Sequence, residues 1–484
     1  MHTQPSAHGD SRLNPALHLL LIWAAIVVTA AAGMWIQSSR HEDEAPAGSQ
    51  EANAEVAPVS MEAEMGAKVV IAMNAIRSWS PGSSSSQVLA SADPLRESSS
   101  FAERLGYSVL IGAVDGWQAG VDSANKIEPV TQAEFALRDR VVGTMTARAA
   151  VPDAKFDASI YEELAPQLGY FARVACGDPG VVGEGFKVFI VLAAAFLWYA
   201  LAFIAGAVLL VFVVLRLVMS PAGAGVPLDD PLQRRVMLIC GETFALWMVA
   251  FFATSLGGAW IGSALVDALG IAEAPAGTNL ALAVSALAFL SSLGVLAYPI
   301  ARGVRFAELR QALGLHRGRG FLREAASGVG CYFASVPLLV SGLIVFVVLS
   351  WLWRLIFGQA PEPGHPVTGL YEGANALRVM LIFLLASVIA PIVEEIMFRG
   401  ALYGHLRNTV APRMRFLSVL VAAVASSAVF ALIHPQGVLF APALGGLAVG
   451  FCLFREARGS LVAPMVAHGI NNAVTLTLGM MMMS

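Results

Sequence analysis

Residues 376–400 read ALRVMLIFLLASVIAPIVEEIMFRG. As far as Val393 the stretch has the length and apolar character of a transmembrane helix, which needs about 20 such residues. It then sets two carboxylates, Glu394 and Glu395, between Ala390-Pro391-Ile392-Val393 and Ile396-Met397-Phe398. An ionisable side chain at membrane depth costs on the order of 3 kcal/mol, and is kept where it is paired or where it works.

The rest of the chain has the same character. Of its 484 residues 57% are hydrophobic and only 13% charged, with a mean hydropathy of +0.69. A soluble chain carries about 25% charged residues, so much of this surface faces lipid. The expected fold is all-α: a polytopic transmembrane helix bundle of about nine spans. They fall near 15–36, 187–218, 236–256, 278–300, 326–353, 376–397, 416–434, 438–454 and 461–481. The stretch 257–272 reads as a candidate re-entrant or interfacial helix. A net charge of −4 and a pI near 6.2 point to no nucleic-acid partner. Of Cys176, Cys240, Cys331 and Cys452, three lie in apolar segments, which argues against a disulfide framework.

Short basic loops give the orientation. Arg216, Arg234 and Arg235 mark one, Arg302 to Arg323 a stronger one, Arg407, Arg413 and Arg415 a third, and Arg455 and Arg458 a fourth. The alternation puts the N-terminus inside and the C-terminus outside. The chain divides into an N-terminal anchor span at 1–36, read as uncleaved despite the small residues Ala30-Ala31-Ala32-Gly33, and an extracytoplasmic insert at 37–186. Further transmembrane helices at 187–375 and a last segment at 376–484, which carries the ionisable residues in apolar surroundings, follow. The insert begins as a flexible linker, His41 to Ala67, and becomes a small, mainly helical domain from about Lys68 to Ala175. Ser83 to Ser86 and Ser98 to Ser100 read as serine-rich loops.

Glu395 and Arg399 are four residues apart with the carboxylate first, the favourable order for a helical ion pair. Glu394 lies about 100° away around the helix, so it needs another partner. Two histidines also fall in apolar segments. His434 ends Ala428 to Ile433 before Pro435 and Gly437, where the plain reading is a helix-end imidazole bonding free carbonyls. His468 has Asn472 four residues on, on the same face, where the plain reading is interhelical hydrogen bonding. Glu394 lies eighteen residues before Pro412 and His434 twenty-two after it, which in antiparallel helices brings them within ~6 Å in depth. His468 fits that geometry least well, because it lies only about ten residues beyond the basic turn at Arg458. Gly400 with Gly404, and Gly446 with Gly450, are small-residue pairs suited to close helix packing.

A carboxylate and two imidazoles, partly desolvated, can activate a water for amide hydrolysis without a covalent intermediate. Glu394 is then the general base, His434 shares or orients the water, and His468 and Asn472 supply N–H donors to the oxyanion. Glu394, His434 and His468 also match a catalytic zinc ligand set. Zinc is not required by the residues, and no H-E-x-x-H helix argues for it. The metal-free reading comes first and the metal question stays open. A proton-coupled transporter would show repeated broken helices in both halves, whereas these residues cluster in the last quarter.

Glu394 to Arg399 resembles the E-E-x-x-x-R motif of the CPBP family, the CAAX-protease and bacteriocin-processing intramembrane proteases related to the Ras-converting CAAX endopeptidase. Phe430 to His434 resembles its F-x-x-x-H, and His468 to Asn472 its H-x-x-x-N. The resemblance covers roughly residues 376–480. It implies an endopeptidase, glutamate-type or metallo-, with Glu394 as the activating carboxylate and Glu395 and Arg399 supporting it. His434, His468 and Asn472 complete the implied site. Its expected setting is a bacterial inner membrane, with a peptide or protein substrate reached within the lipid. The alternative is a non-catalytic scaffold or bacteriocin-immunity protein on the same fold.

Overall fold

The computed structural model describes residues 22–29, 56–77, 84–152, 155–219, 231–272, 274–358, 370–371, 374–409 and 415–483. Every regular element among them is helical. The chain divides into two compact units, one of residues 1–45 and 199–476 and the other of 46–198 and 477–484.

Among the described residues six helices are long and apolar enough to cross a membrane. They are α1 (Val181–Met219), α2 (Pro231–Ala268), α3 (Pro275–Ala301, with a 3-10 turn at Ser292–Leu296), α4 (Phe321–Phe357), α5 (Ala376–Thr409) and α6 (Val438–Arg458). Two more apolar segments come out differently from the expectation. The one at 416–434 is the shorter helix Arg415–Leu432. The last is Val462–Met483, α7, a 22-residue helix outside that set of six, since His468, Asn471 and Asn472 dilute its apolar character. The stretch 257–272 is neither re-entrant nor separate, because α2 continues through it to Ala268 without a break. Most of the first span, the His41–Glu55 part of the linker, Ser83 and the turn Ala411-Pro412-Arg413 lie outside the described residues.

α2 is the central helix: 61% of its apolar window is buried, against 17% for α1. Its Phe244 and Trp247 meet Phe398 of α5 with ring centroids 5.2 and 5.6 Å apart, and Phe398 meets Phe430 at 5.1 Å. Trp247 donates its indole N–H to Ser292 Oγ at 3.0 Å, so this large side chain is buried with its polar atom satisfied. α4 and α6 pack backbone to backbone. A Cβ on Gly446 would run into the Leu338 carbonyl, and one on Gly450 into Ser335. The other pair faces elsewhere, Gly400 against Leu313 and Gly404 against Met237. Arg407, expected in a basic loop, lies inside α5 and is buried, with Glu456 and Ser418 around its guanidinium.

The second unit is helical with its own core of Val70, Leu105, Leu110, Met145 and Phe171. Its first helix starts at Met61, so the last residues of the expected linker are ordered helix with Ala63 and Ala67 buried. Of the two expected serine-rich loops, the first is helical from Ser85 on, with Ser84 capping it through Gln87, and Ser100 of the second caps Phe101–Asp115. All four cysteines are buried free thiols.

Candidate active site

The site is built where α5 departs from regular winding. Leu385–Ile389 and Glu395–Leu402 are π-helical, on either side of Ala390–Glu394. Such wide turns gather at functional sites. Pro391 supplies a cause, since it has no N–H to give to the carbonyl four or five residues back. Those carbonyls belong to Ser387 and Ala386, and α7 docks on them. Asn472 Nδ2 donates to Ala386 O at 2.7 Å. Gly469 lies against Ser387, where a Cβ would sit 2.6 Å from the carbonyl oxygen. A backbone defect in one helix thereby fixes the depth of His468 on another.

The two adjacent glutamates have different surroundings. Glu395 is fully buried and pairs with Arg399 at 2.9 Å. The Arg399 guanidinium lies between Phe430 and Phe451, 4.5 and 5.2 Å from the ring centroids. A flat, weakly hydrated cation is suited to such a slot. Glu394 keeps 16% of its side-chain surface exposed. Its Oε2 is buried and makes no hydrogen bond to the described protein atoms.

His468 joins them. Its Nδ1 lies 2.9 Å from Glu395 Oε1 and its Nε2 3.6 Å from Glu394 Oε2. A carboxylate can only accept, so Nδ1 carries the proton and Nε2 faces Glu394. Phe430 and Phe451 flank this imidazole too, with centroids 5.8 and 5.5 Å away. The expectation that His468 fits the geometry least well is therefore overturned. Ideal straight helices misplace it, whereas π turns and the Asn472 bond do not.

His434 follows the end of its helix at Leu432, as Pro435 and a left-handed Gly437 (φ 85°) dictate. Its Nδ1 bonds Phe430 O at 2.6 Å, the helix-end contact expected of it, which leaves its lone pair on Nε2. Its ring lies 4.3 Å from that of Phe430, whose other neighbours include Arg399 and His468. Phe430 is thus the shared wall of the cluster. Asn472, expected as an oxyanion donor, uses an N–H on Ala386.

Two contributors escaped the sequence reading. Phe451 is one, although a large aromatic directly after Gly450 was a signal. Ala448 is another, its carbonyl 3.4 Å from Arg399 Nη2. Apart from the cluster, His405 is fully buried against α2, with Nδ1 3.0 Å from Met237 O. Among the described residues no group of three His, Cys, Asp or Glu side chains gathers at a spacing that would hold a metal ion. Of the donor set Glu394, His434 and His468, Glu394 Oε2 and His468 Nε2 face each other at 3.6 Å.

Residues 376–474 match the family model described as Type II CAAX prenyl endopeptidase Rce1-like. The membrane-embedded CAAX protease MroQ of Staphylococcus aureus (strain USA300) is 27% identical over 135 residues, 28% of this chain and 51% of that protein. The chain thus matches about half the length of this curated relative. No solved structure matches. The long apolar helices and this relative mark a multi-pass integral membrane protein.

Proposed function

We propose that this chain, whose residues 376–474 belong to the Rce1-like CAAX prenyl endopeptidase family, is an intramembrane endopeptidase that hydrolyses peptide bonds with a glutamate-activated water. The observation that carries the reading is the division of labour between neighbours: Glu395 is sealed and paired, while Glu394 stays partly open beside His468.

In this mechanism a water sits within hydrogen-bond reach of Glu394 Oε2 and His468 Nε2. Glu394 takes its proton as the oxygen attacks the scissile carbonyl, the role of a positioned general base. The proton then passes to the leaving amine. Glu395 holds the His468 ring through Nδ1–H and stabilises it if it charges, and Arg399 balances Glu395. His434, with its tautomer fixed by Phe430 O, orients the water by accepting from it at Nε2. Asn472 positions α7. Glu394 and His468 are the groups that touch the reacting atoms, and Glu395, Arg399 and Asn472 act through them.

The substrate is a protein or peptide reached within the membrane, and the orientation proposed is N-terminus inside. The deciding experiment compares N-terminal peptides of membrane proteins, by mass spectrometry, between cells carrying wild-type protein and cells carrying Glu394→Ala. Peptides lost in the variant name the substrate. Undiminished cleavage in Glu394→Ala, by cells or by the purified protein, sinks the assignment.

A further inference from the structure

A cavity of about 580 Å³ opens at the basic end of the bundle, between the loop Gly314–Arg317 and the first turn of α7. Its volume is that of a small-molecule site. Leu315, Val462 and Met465 form an apolar wall, and Arg310, His316 and Arg317 form a polar one, with no acidic residue in the lining.

Four arginines of this end have carboxylate partners. Arg302 is paired with Glu242, Arg305 with Glu308, Arg407 with Glu456 and Arg458 with Glu324. Arg310 and Arg317 have no carboxylate partner among the described residues. Their charge is therefore directed to the cavity and to solvent. His316 adds donors and acceptors rather than charge, since burial, with Arg455 and Arg310 nearby, holds its imidazole below the usual range. Phe306, Phe321 and Leu322, at the starts of the two helices that bracket this loop, are 66%, 58% and 81% exposed. Exposed apolar side chains interleaved with unpaired arginines are the pattern of a surface lying at lipid headgroups.

We infer that this cavity binds an anionic phospholipid, its phosphate on Arg310 and Arg317 and the upper part of its acyl region along Leu315, Val462 and Met465. Charge complementarity selects an anion, and the apolar wall selects an amphiphile over a free ion. The inference is independent of the proteolytic reading.

The test is native mass spectrometry of the full chain released from detergent, with phosphatidylglycerol, phosphatidylcholine or inorganic phosphate added. Wild type is expected to keep one phosphatidylglycerol in preference to phosphatidylcholine. Arg310→Gln with Arg317→Gln should weaken that retention roughly 30-fold, with melting unchanged, as both side chains are exposed and unpaired. Val462→Glu, which places a like charge at the phosphate without touching either arginine, should give a comparable loss. Equal retention in wild type and the double variant overturns the assignment. So does displacement of phosphatidylglycerol by millimolar inorganic phosphate, which would make this a small-anion site.

Discussion

His468 Nδ1 and Glu395 Oε1 lie 2.9 Å apart and join residues 73 positions apart in the chain. Because Glu395 also holds Arg399, the proposed mechanism gives this carboxylate an orienting role and makes Glu394 the base. The two glutamates should therefore fail differently. Glu394→Gln is expected to lower peptide cleavage roughly 100-fold or more with no loss of thermal stability. Glu395→Gln leaves Arg399 as a buried unpaired charge, a change that costs about 3–5 kcal/mol, and should lower the melting temperature as well as activity. Similar melting curves for both variants would contradict the division of roles.

Arg399 tests the aromatic slot apart from the charge. Lysine keeps the charge but neither the planar face between Phe430 and Phe451 nor the second contact to Ala448 O. Arg399→Lys is expected to fold, with a melting temperature between those of wild type and Arg399→Ala. Its KM should be near wild type and its kcat reduced, because His468 shares the same two rings. Steady-state kinetics on a model peptide separate these terms. A changed KM with normal kcat would place Arg399 at the substrate instead.

How far the sequence discloses this site can be judged residue by residue. Glu394, Glu395, Arg399, His434 and His468 stand out because polar residues in apolar segments cost too much to be incidental. The pairing of Arg399 with Glu395 rather than Glu394 follows from helical spacing alone. The depth of His468 does not, because it depends on π turns, and these arise from which carbonyls Pro391 leaves unbonded and what fills them. Pro391 was visible, but its partners Asn472 and Gly469 are contributed by a helix some 80 residues away. The spans are legible for the same reason as the site: apolar runs are long. Their ends are not, since α2 carries Trp260, Ile261 and Leu265 outward through a stretch whose small residues resemble a loop.

In the second unit, Glu103 ties the segment before the first described insert helix to the helix Phe101–Asp115. It accepts from Ser60 N at 3.1 Å and from Ser98 Oγ at 2.6 Å. Burial alone would raise its pKa, but the bonds from Ser60 and Ser98 outweigh it and hold the carboxyl below its usual value. A group depressed in the folded state contributes stability fully above its unfolded value, near 4.3, and loses it as pH falls toward the folded value. Amide hydrogen exchange of Met61–Arg77 in the full chain should therefore speed up below about pH 4, after correction for intrinsic rates. Glu103→Gln should exchange faster at pH 7 and show less of this acid dependence. An acid dependence unchanged in Glu103→Gln would assign it to another group.

Pro391 gives the most discriminating prediction, because its removal should improve the fold and harm the site. Proline inside a helix costs about 3 kcal/mol relative to alanine, and its missing N–H leaves the Ala386 and Ser387 carbonyls for α7. With Pro391→Ala, the new N–H can bond Ser387 O and close an ordinary α-helical turn. Asn472 and Gly469 then meet a different surface, and His468 shifts relative to Glu394. A displacement of order 1 Å at reacting groups costs up to about 100-fold in rate. Pro391→Ala is therefore expected to melt at a higher temperature than wild type while kcat falls roughly 10- to 100-fold. Asn472→Ala should lose activity too, but with a lower melting temperature, since it leaves Ala386 O without its bond. Full activity in a stabilised Pro391→Ala protein would show that the π turn is not what sets the distance between His468 and Glu394.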